Sequence, residues 1–190
     1  PSQNVLQSKY PNTCHPNARF LLAPATDYHS EVVRNLIHEL KFNRIASAIE
    51  PIKKILSEYL SSVILSEAKN LKKPIIIPVP ISPKRLRERG FNQAELMADY
   101  VAQKLNLPIF KSVIVKSQDN KKQSELKNWE ERKENVKNCF ALTQPELIKN
   151  KNIILVDDVF TSGATISEAV RLLKSAHTRQ IIALTLARAR

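Results

Sequence analysis

A chain of 190 residues, 43% hydrophobic and 25% charged, has the size and balance of one soluble globular protein with a sizeable core. Its longest apolar runs, around Ile75–Ile81 and Ile181–Ala187, fall far short of the roughly 20 residues a membrane span needs. Its two cysteines, Cys14 and Cys139, form no CxxC pair and are too few for a disulfide framework or a structural zinc site, so a reducing cytoplasm is the expected compartment. Thirty Lys and Arg against 18 Asp and Glu give a formal net charge of +12. That charge favours anionic partners (nucleic acid, an anionic membrane surface or a polyphosphorylated small molecule) and does not choose among them.

In chain order, residues 1–28 carry Pro1, Pro11, Pro16 and Pro24 with no sustained period and read as an irregular arm, leaving 29–190 as the main domain. "EVVRNLIHELK" sets Val33, Leu36, Ile37 and Leu40 on one face of an amphipathic helix. A second helix is expected near Pro51, carrying Ile52, Ile55, Leu56 and Tyr59, and "SSVILSEAKNLKKP" follows as helix or loop. "IIIPV" reads as a short buried strand cut by Pro78. Then "FNQAELMADYVAQKL" repeats Ala94, Ala98, Val101 and Leu105 at helical spacing, with Asn92 and Glu95 placed as a capping pair. "SVIV" is a strand candidate, and residues 117–135 are polar and lysine-rich, partly helical if Trp129 anchors them. "NIILV", "ISEAVRLLKSA" and "QIIALTL" close the chain as strand, helix and strand. Strands alternating with helices predict an α/β fold, a mostly parallel sheet flanked by helices on both faces, with ligands beyond the carboxyl ends of the strands.

One such end carries "IILVDDVFTSGAT", Ile153 to Thr165. Ordinary usage near 7% would give a chain of this length roughly 13 glycines; this one has two, Gly90 and Gly163, so each marks a place where the backbone needs positive φ or close approach. After a strand over Ile153–Val156, Asp157 and Asp158 are expected to leave the sheet, and Thr161, Ser162, Gly163, Ala164 and Thr165 to turn into a helix. Helix N–H donors, hydroxyls and the positive end of the helix dipole make that turn an anion site. Two carboxylates beside it suit hydroxyl groups, so the ligand they jointly describe is a sugar phosphate. A Walker A loop is excluded because Ala164 stands where lysine is required, and a dinucleotide fingerprint because it needs three glycines. A phosphatase of the DxDxT type is excluded because Phe160 replaces its second aspartate. The competing reading is a capped βα turn with exposed acids.

This stretch resembles the phosphoribosyl pyrophosphate (PRPP) signature of type I phosphoribosyltransferases. "PVPISPKRLRERGFNQAELMA" and "QSELKNWEERKENVKNCF" further resemble the ComF family, phosphoribosyltransferase-like proteins linked to bacterial DNA uptake, from about Tyr28 to the C-terminal "LARAR". The resemblance implies that Asp157 and Asp158, the catalytic pair, contact the ribose hydroxyls while Thr161 to Thr165 wrap the 5′-phosphate. Val79 and Pro80 would begin the diphosphate-facing loop that runs through Ser82, and Lys84, Arg85, Arg87 and Arg89 would line its phosphate side or form a solvated basic helix end. Gly90 would turn the chain into the next helix. Residues 117–135 match the family's variable loop, with Gln123, Arg132 and Asn135 at its recognisable positions. Relatives usually carry an N-terminal zinc module of which Cys14 would be the remnant, so no zinc is expected; "YHSE" and His177 stand where relatives have glycine, His177 being read as a cap that complements the helix dipole.

The function so implied is transfer of a phosphoribosyl group with release of pyrophosphate, Mg²⁺ arriving with PRPP and no other metal site, in a protein linked to competence. Two alternatives stand beside it: a catalytically silent PRPP-binding or DNA-uptake module, and a basic nucleic-acid binder. The partners admitted are PRPP, weak non-specific single-stranded DNA and a second copy in a homodimer, with no membrane.

Overall fold

The computed structural model describes residues 18–43, 46–64, 71–116 and 138–189. In chain order, β1 (Leu21–Asp27) leads to α1 (Glu31–His38), which widens into a π turn over Glu39–Asn43. A 3₁₀ turn (Ala46–Ala48) opens α2 (Ile49–Tyr59), extended by a second π turn (Leu60–Ile64). Then come β2 (Ile75–Pro78), α3 (Pro83–Arg89), α4 (Gln93–Leu105), β3 (Ile114–Lys116) and β4 (Phe140–Leu142). The chain closes with β5 (Ile153–Phe160), α5 (Ala164–Ser175) and β6 (Ile181–Arg188).

Four strands form one parallel sheet in the order β1-β6-β5-β2, with β5 and β6 at its centre. Alternation along β5 sends Ile154 and Val156 to one face, where they meet Val33, Ile37, Ile52, Leu56, Met97 and Val101 from α1, α2 and α4. Ile153 and Leu155 face the other way, against Ile166, Ala169, Val170 and Leu173 of α5 and Phe140 of β4. Both faces are thus covered, which is why the central strands read as unbroken apolar runs. Fully burying each such Ile, Leu or Val is worth about 1.5–3 kcal/mol, so the centre of the sheet is a firm platform for whatever projects from its ends.

Local signals set the element boundaries next to that end. Ser82 Oγ accepts the Arg85 N–H (3.3 Å) with Pro83 in the first turn of α3, and Gly90, at φ 83°, stops it. The Asn92 side chain caps α4 by accepting the Ala94 N–H at 3.1 Å. The Glu95 N–H donates to Asn92 O at 3.1 Å, while its carboxylate, expected to cap in return, lies 2.9 Å from Lys111 Nζ, which also reaches Asp99.

Three expectations need correction. Residues 21–27, read as irregular because of Pro24, are β1. Proline is tolerated there because, among the described residues, β1 is an edge strand paired only with β6, and its missing N–H can face away from the ladder. "SVIV" contributes a strand only from Ile114, and it pairs antiparallel with β4 in a separate two-stranded ribbon. The aspartates do not leave the sheet: β5 runs through them to Phe160, with Asp157 beside Thr185 and Val159 beside Ala187 of β6. Residues 1–17 of the arm, residues 65–70, and the 117–135 loop with Gln123, Trp129, Arg132 and Asn135 lie outside the described residues. Among the described residues no helix is long and apolar enough to cross a membrane.

Candidate functional site

The carboxyl ends of β2 and β5 lie side by side, and the chain beyond β2 is tied to that edge. Val79 N–H donates to Val156 O at 2.8 Å, continuing the ladder one residue past β2. Asn92 Nδ2 donates to Val79 O at 3.0 Å. The residue that caps α4 therefore also holds the start of the loop Val79–Ser82, in which Val79 and Ser82 are buried and Pro80 half-buried. The sequence-predicted loop is brought next to the strand that carries the acid pair.

Asp157 and Asp158 are both half-buried. The Asp158 N–H donates to Asp157 Oδ1 at 2.9 Å, fixing the first carboxylate against the strand. Burial pushes the Asp157 carboxyl up to about 7, and the neighbouring Asp158 charge pushes in the same direction; Lys41, the Asp158 N–H and Lys116 oppose them without cancelling them. Lys41, from the π turn after α1, lies 2.7 Å from Asp158 Oδ2 with both side chains largely covered. This lysine was not singled out in the sequence, where it is one base among 30 Lys and Arg.

Beyond β5 the chain makes the expected turn. Thr161 is exposed, Ser162 and Thr165 are half-buried, and Gly163 and Ala164 are buried. Gly163 occupies the N-cap of α5 at φ 74°, a left-handed conformation that side chains resist, and Ser162 Oγ accepts the Ala164 N–H at 3.4 Å. The close approach that excludes a side chain at residue 163 is made by the Phe160 ring, whose Cζ would lie 2.5 Å from an added Cβ. The demand for glycine is therefore set within the protein and does not require a phosphate against the backbone.

The basic residues of α3 divide. Lys84 and Arg87 are exposed and Arg85 is half-buried. Arg89 faces inward: it donates to Gln93 Oε1 at 3.1 Å and its guanidinium lies 5.8 Å from the Phe42 ring centre. Burial lowers the Arg89 pKa; the Asp158 and Glu88 charges oppose that shift and Arg85 adds to it. Arg89 thus shares the electrostatic field of the acid pair. His177 stands at the end of α5, where its backbone, at φ 57°, takes the left-handed turn and its N–H donates to Lys174 O at 3.0 Å. It fills a glycine-type position by conformation.

Together these elements place two carboxylates, two cations and a helix N-terminus at the carboxyl end of a parallel sheet, the combination for binding a polyol that carries phosphate. Among the described residues no three His, Cys, Asp or Glu side chains converge as a metal cage. Mg²⁺ is commonly held by substrate phosphates with one or two carboxylates, so the acid pair fits an ion that arrives with its substrate.

The phosphoribosyl transferase domain family matches residues 91–190, the part that carries the acid pair and the Gly163 turn. The competence protein ComFC of Bacillus subtilis (strain 168) is 30% identical over 161 residues, covering 84% of this chain and 61% of the relative. Competence protein F of Haemophilus influenzae is 30% identical over 167 residues, 85% of this chain and 70% of the relative. The DNA utilization protein YhgH of Escherichia coli (strain K12) is 33% identical over 142 residues, 73% of this chain and 59% of the relative. The chain thus spans less than two thirds of the first and third. A solved hypoxanthine phosphoribosyltransferase from Staphylococcus aureus aligns with 81% of this chain and 62% of its own at 12% identity and a TM-score of 0.36, too loose to bear on chemistry. With its parallel sheet, its acid-pair turn and these relatives, the chain belongs to the ComF family of phosphoribosyltransferase-domain proteins.

Proposed function

We propose that the protein binds PRPP and transfers its phosphoribosyl group to a nucleophile with release of pyrophosphate, in the setting of competence and DNA utilization for which its relatives are named. The observation that carries this reading is the acid pair on β5 running directly into the Gly163 turn at the carboxyl end of the parallel sheet. Asp157 and Asp158 accept the ribose hydroxyls, the turn from Thr161 to Thr165 takes the 5′-phosphate at the start of α5, and the loop from Val79 and Pro80 to Ser82 faces the diphosphate. Arg85 and Lys84 supply positive charge on the α3 side.

In the reaction the acceptor's lone pair attacks ribose C1, the bond from C1 to the diphosphate oxygen breaks, and its electron pair leaves with pyrophosphate. The protein's part is positioning and electrostatic stabilisation, since no covalent intermediate is needed. Mg²⁺ arriving with the diphosphate would add charge neutralisation. A carboxylate accepts hydroxyl hydrogens best when ionised, so Asp157 must shed its proton for the sugar to bind; the basic groups around it favour that state.

The test is calorimetry with PRPP and Mg²⁺ on the parent and on the double variant Asp157→Asn, Asp158→Asn, followed by pyrophosphate-release assays across nucleobases and amines. A hydrogen bond to a charged group is worth about 1.5–3 kcal/mol, so losing both carboxylates weakens binding by about 100-fold or more in a protein that still folds. Equal affinity in the double variant sinks the ribose assignment. Tight PRPP binding with no pyrophosphate released for any acceptor favours the silent module.

A further inference from the structure

Lys41 has no assigned role, yet its Nζ sits 2.7 Å from one of the two carboxylates that define the site. The residues on either side of it are fastened to one corner of the fold. Leu40 O accepts a hydrogen bond from Gln93 Nε2 at 3.3 Å, and Phe42 packs under the Arg89 guanidinium at 5.8 Å and beside the His38 ring at 4.8 Å. Arg89 itself donates to Gln93. Asn92, next to Gln93, is the residue whose side chain holds Val79 O and hence the loop beyond β2. Lys41 therefore reaches Asp158 from a turn fastened to the α3–α4 corner, the same corner whose Asn92 holds the start of the Val79–Ser82 loop.

Its ammonium engages Asp158 Oδ2. A carboxylate has about four acceptor sites, so hydroxyls can join without displacing the lysine. A ribose whose hydroxyls lie on the acid pair carries its C1 substituent next to C2, within the sweep of a lysine on a flexible four-carbon stem.

We infer that Lys41 contacts the group on ribose C1 and is a specificity-determining residue that distinguishes a C1-diphosphate from a sugar phosphate without one. In the free protein it neutralises Asp158; with the diphosphate bound it bridges carboxylate and phosphate. The inference rests on the site being a PRPP site, and its test separates the two.

Calorimetry compares PRPP with Mg²⁺ against ribose 5-phosphate for the parent, Lys41→Gln and Lys41→Arg, with thermal unfolding as the control for folding. The expected result is that Lys41→Gln weakens PRPP at least tenfold while ribose 5-phosphate changes less than about twofold or tightens. Lys41→Arg, which keeps the charge, retains most PRPP affinity and shows that the effect is not a folding defect. If Lys41→Gln moves both ligands equally or neither, or if Lys41→Arg loses as much as Lys41→Gln, Lys41 is a structural counterion and the inference fails while the PRPP site stands. If the parent binds neither ligand, the proposed function falls and takes this inference with it.

Discussion

The Phe160 ring fills the space into which a side chain at Gly163 would grow, with its Cζ 2.5 Å and Cε2 2.8 Å from an added Cβ. The ring is itself fixed, buried against Phe20 at 6.4 Å between centroids and covered by the Arg188 guanidinium at 5.9 Å. Two costs therefore combine at residue 163: the left-handed φ of 74°, about 1–2 kcal/mol for a residue with a Cβ, and displacement of an aromatic ring. Gly163→Ala is expected to destabilise the protein by more than the first cost alone. Pairing it with Phe160→Leu should cost less than the sum of the single substitutions, as residues that share one space are not additive. Denaturant unfolding of the four members of that cycle checks this; strict additivity would mean that the ring yields freely.

Asp157 gives a pH dependence whose sign follows from its raised pKa. Unfolded, the carboxyl has its ordinary value of 3.8; folded, burial and Asp158 push it up to about 7. Between those values the folded state binds the additional proton, so this contribution is fully present below about pH 4, falls as pH rises and is gone above about 7. Asp157→Asn never ionises and carries no such penalty. It should gain little over the parent near pH 4, gain progressively as pH rises toward about 7 and keep the full gain at pH 8, and thermal unfolding across that range reads the difference. A variant less stable than the parent at pH 8 would reverse the argument and place Asp157 in a charge-stabilising environment.

Much of the fold and part of the site follow from sequence pattern alone, because those features are local. The run Ile153–Val156, the paired acids and the small-residue turn lie in thirteen consecutive residues, and strand, turn and helix announce themselves by period and glycine. What pattern cannot show is set by contacts remote in the chain. Pro24 argues against a strand until β1 is known to be an edge. Phe140–Leu142 is too short to carry a period, and becomes β4 only by pairing with β3. The continuation of β5 through Asp157 and Asp158 depends on Thr185 and Ala187 of β6 lying alongside. Lys41 becomes part of the site only because the π turn after α1 folds back against Gln93 and Arg89.

Glu168 anchors the segment entering β4. Buried on α5, it accepts the Asn138 N–H at 2.7 Å and pairs with Arg171 through both oxygens at 2.8 Å, while Arg171 also donates to Asn138 Oδ1 at 3.2 Å. Asn138 takes a left-handed φ of 57°, so this charged acceptor holds the backbone where it bends. Hydrogen bonds to charged groups are worth about 1.5–3 kcal/mol each, and Arg171 is half exposed, which dilutes its share. Glu168→Ala is expected to cost on the order of 2–3 kcal/mol, seen as a lower urea midpoint, with Glu168→Gln losing less because it still accepts from Asn138. A loss below about 0.5 kcal/mol for Glu168→Ala would show that the bend holds without it.

The net charge of +12 predicts how the protein meets DNA. Lys84 and Arg87 stand exposed on α3, a seven-residue helix that also carries Arg85 and Arg89, and in the sequence the bases recur throughout the chain with no recognisable nucleic-acid-binding motif. Attraction of that kind acts through counterion release, so single-stranded DNA should bind weakly, without sequence preference, and lose affinity steeply as salt rises. Binding at the acid-pair site depends instead on directional contacts to half-buried groups, which salt screens less. Titrating an oligonucleotide and PRPP in parallel, from about 20 mM to about 150 mM salt, spans a Debye length falling from over 20 Å to about 8 Å. DNA affinity is expected to drop at least tenfold over that range and PRPP affinity by less than about threefold. Replacing Lys84 and Arg87 with glutamine should flatten the DNA salt slope and leave the PRPP titration in place. Tight, sequence-selective DNA binding that survives the salt series would overturn this ranking and make nucleic acid the primary ligand.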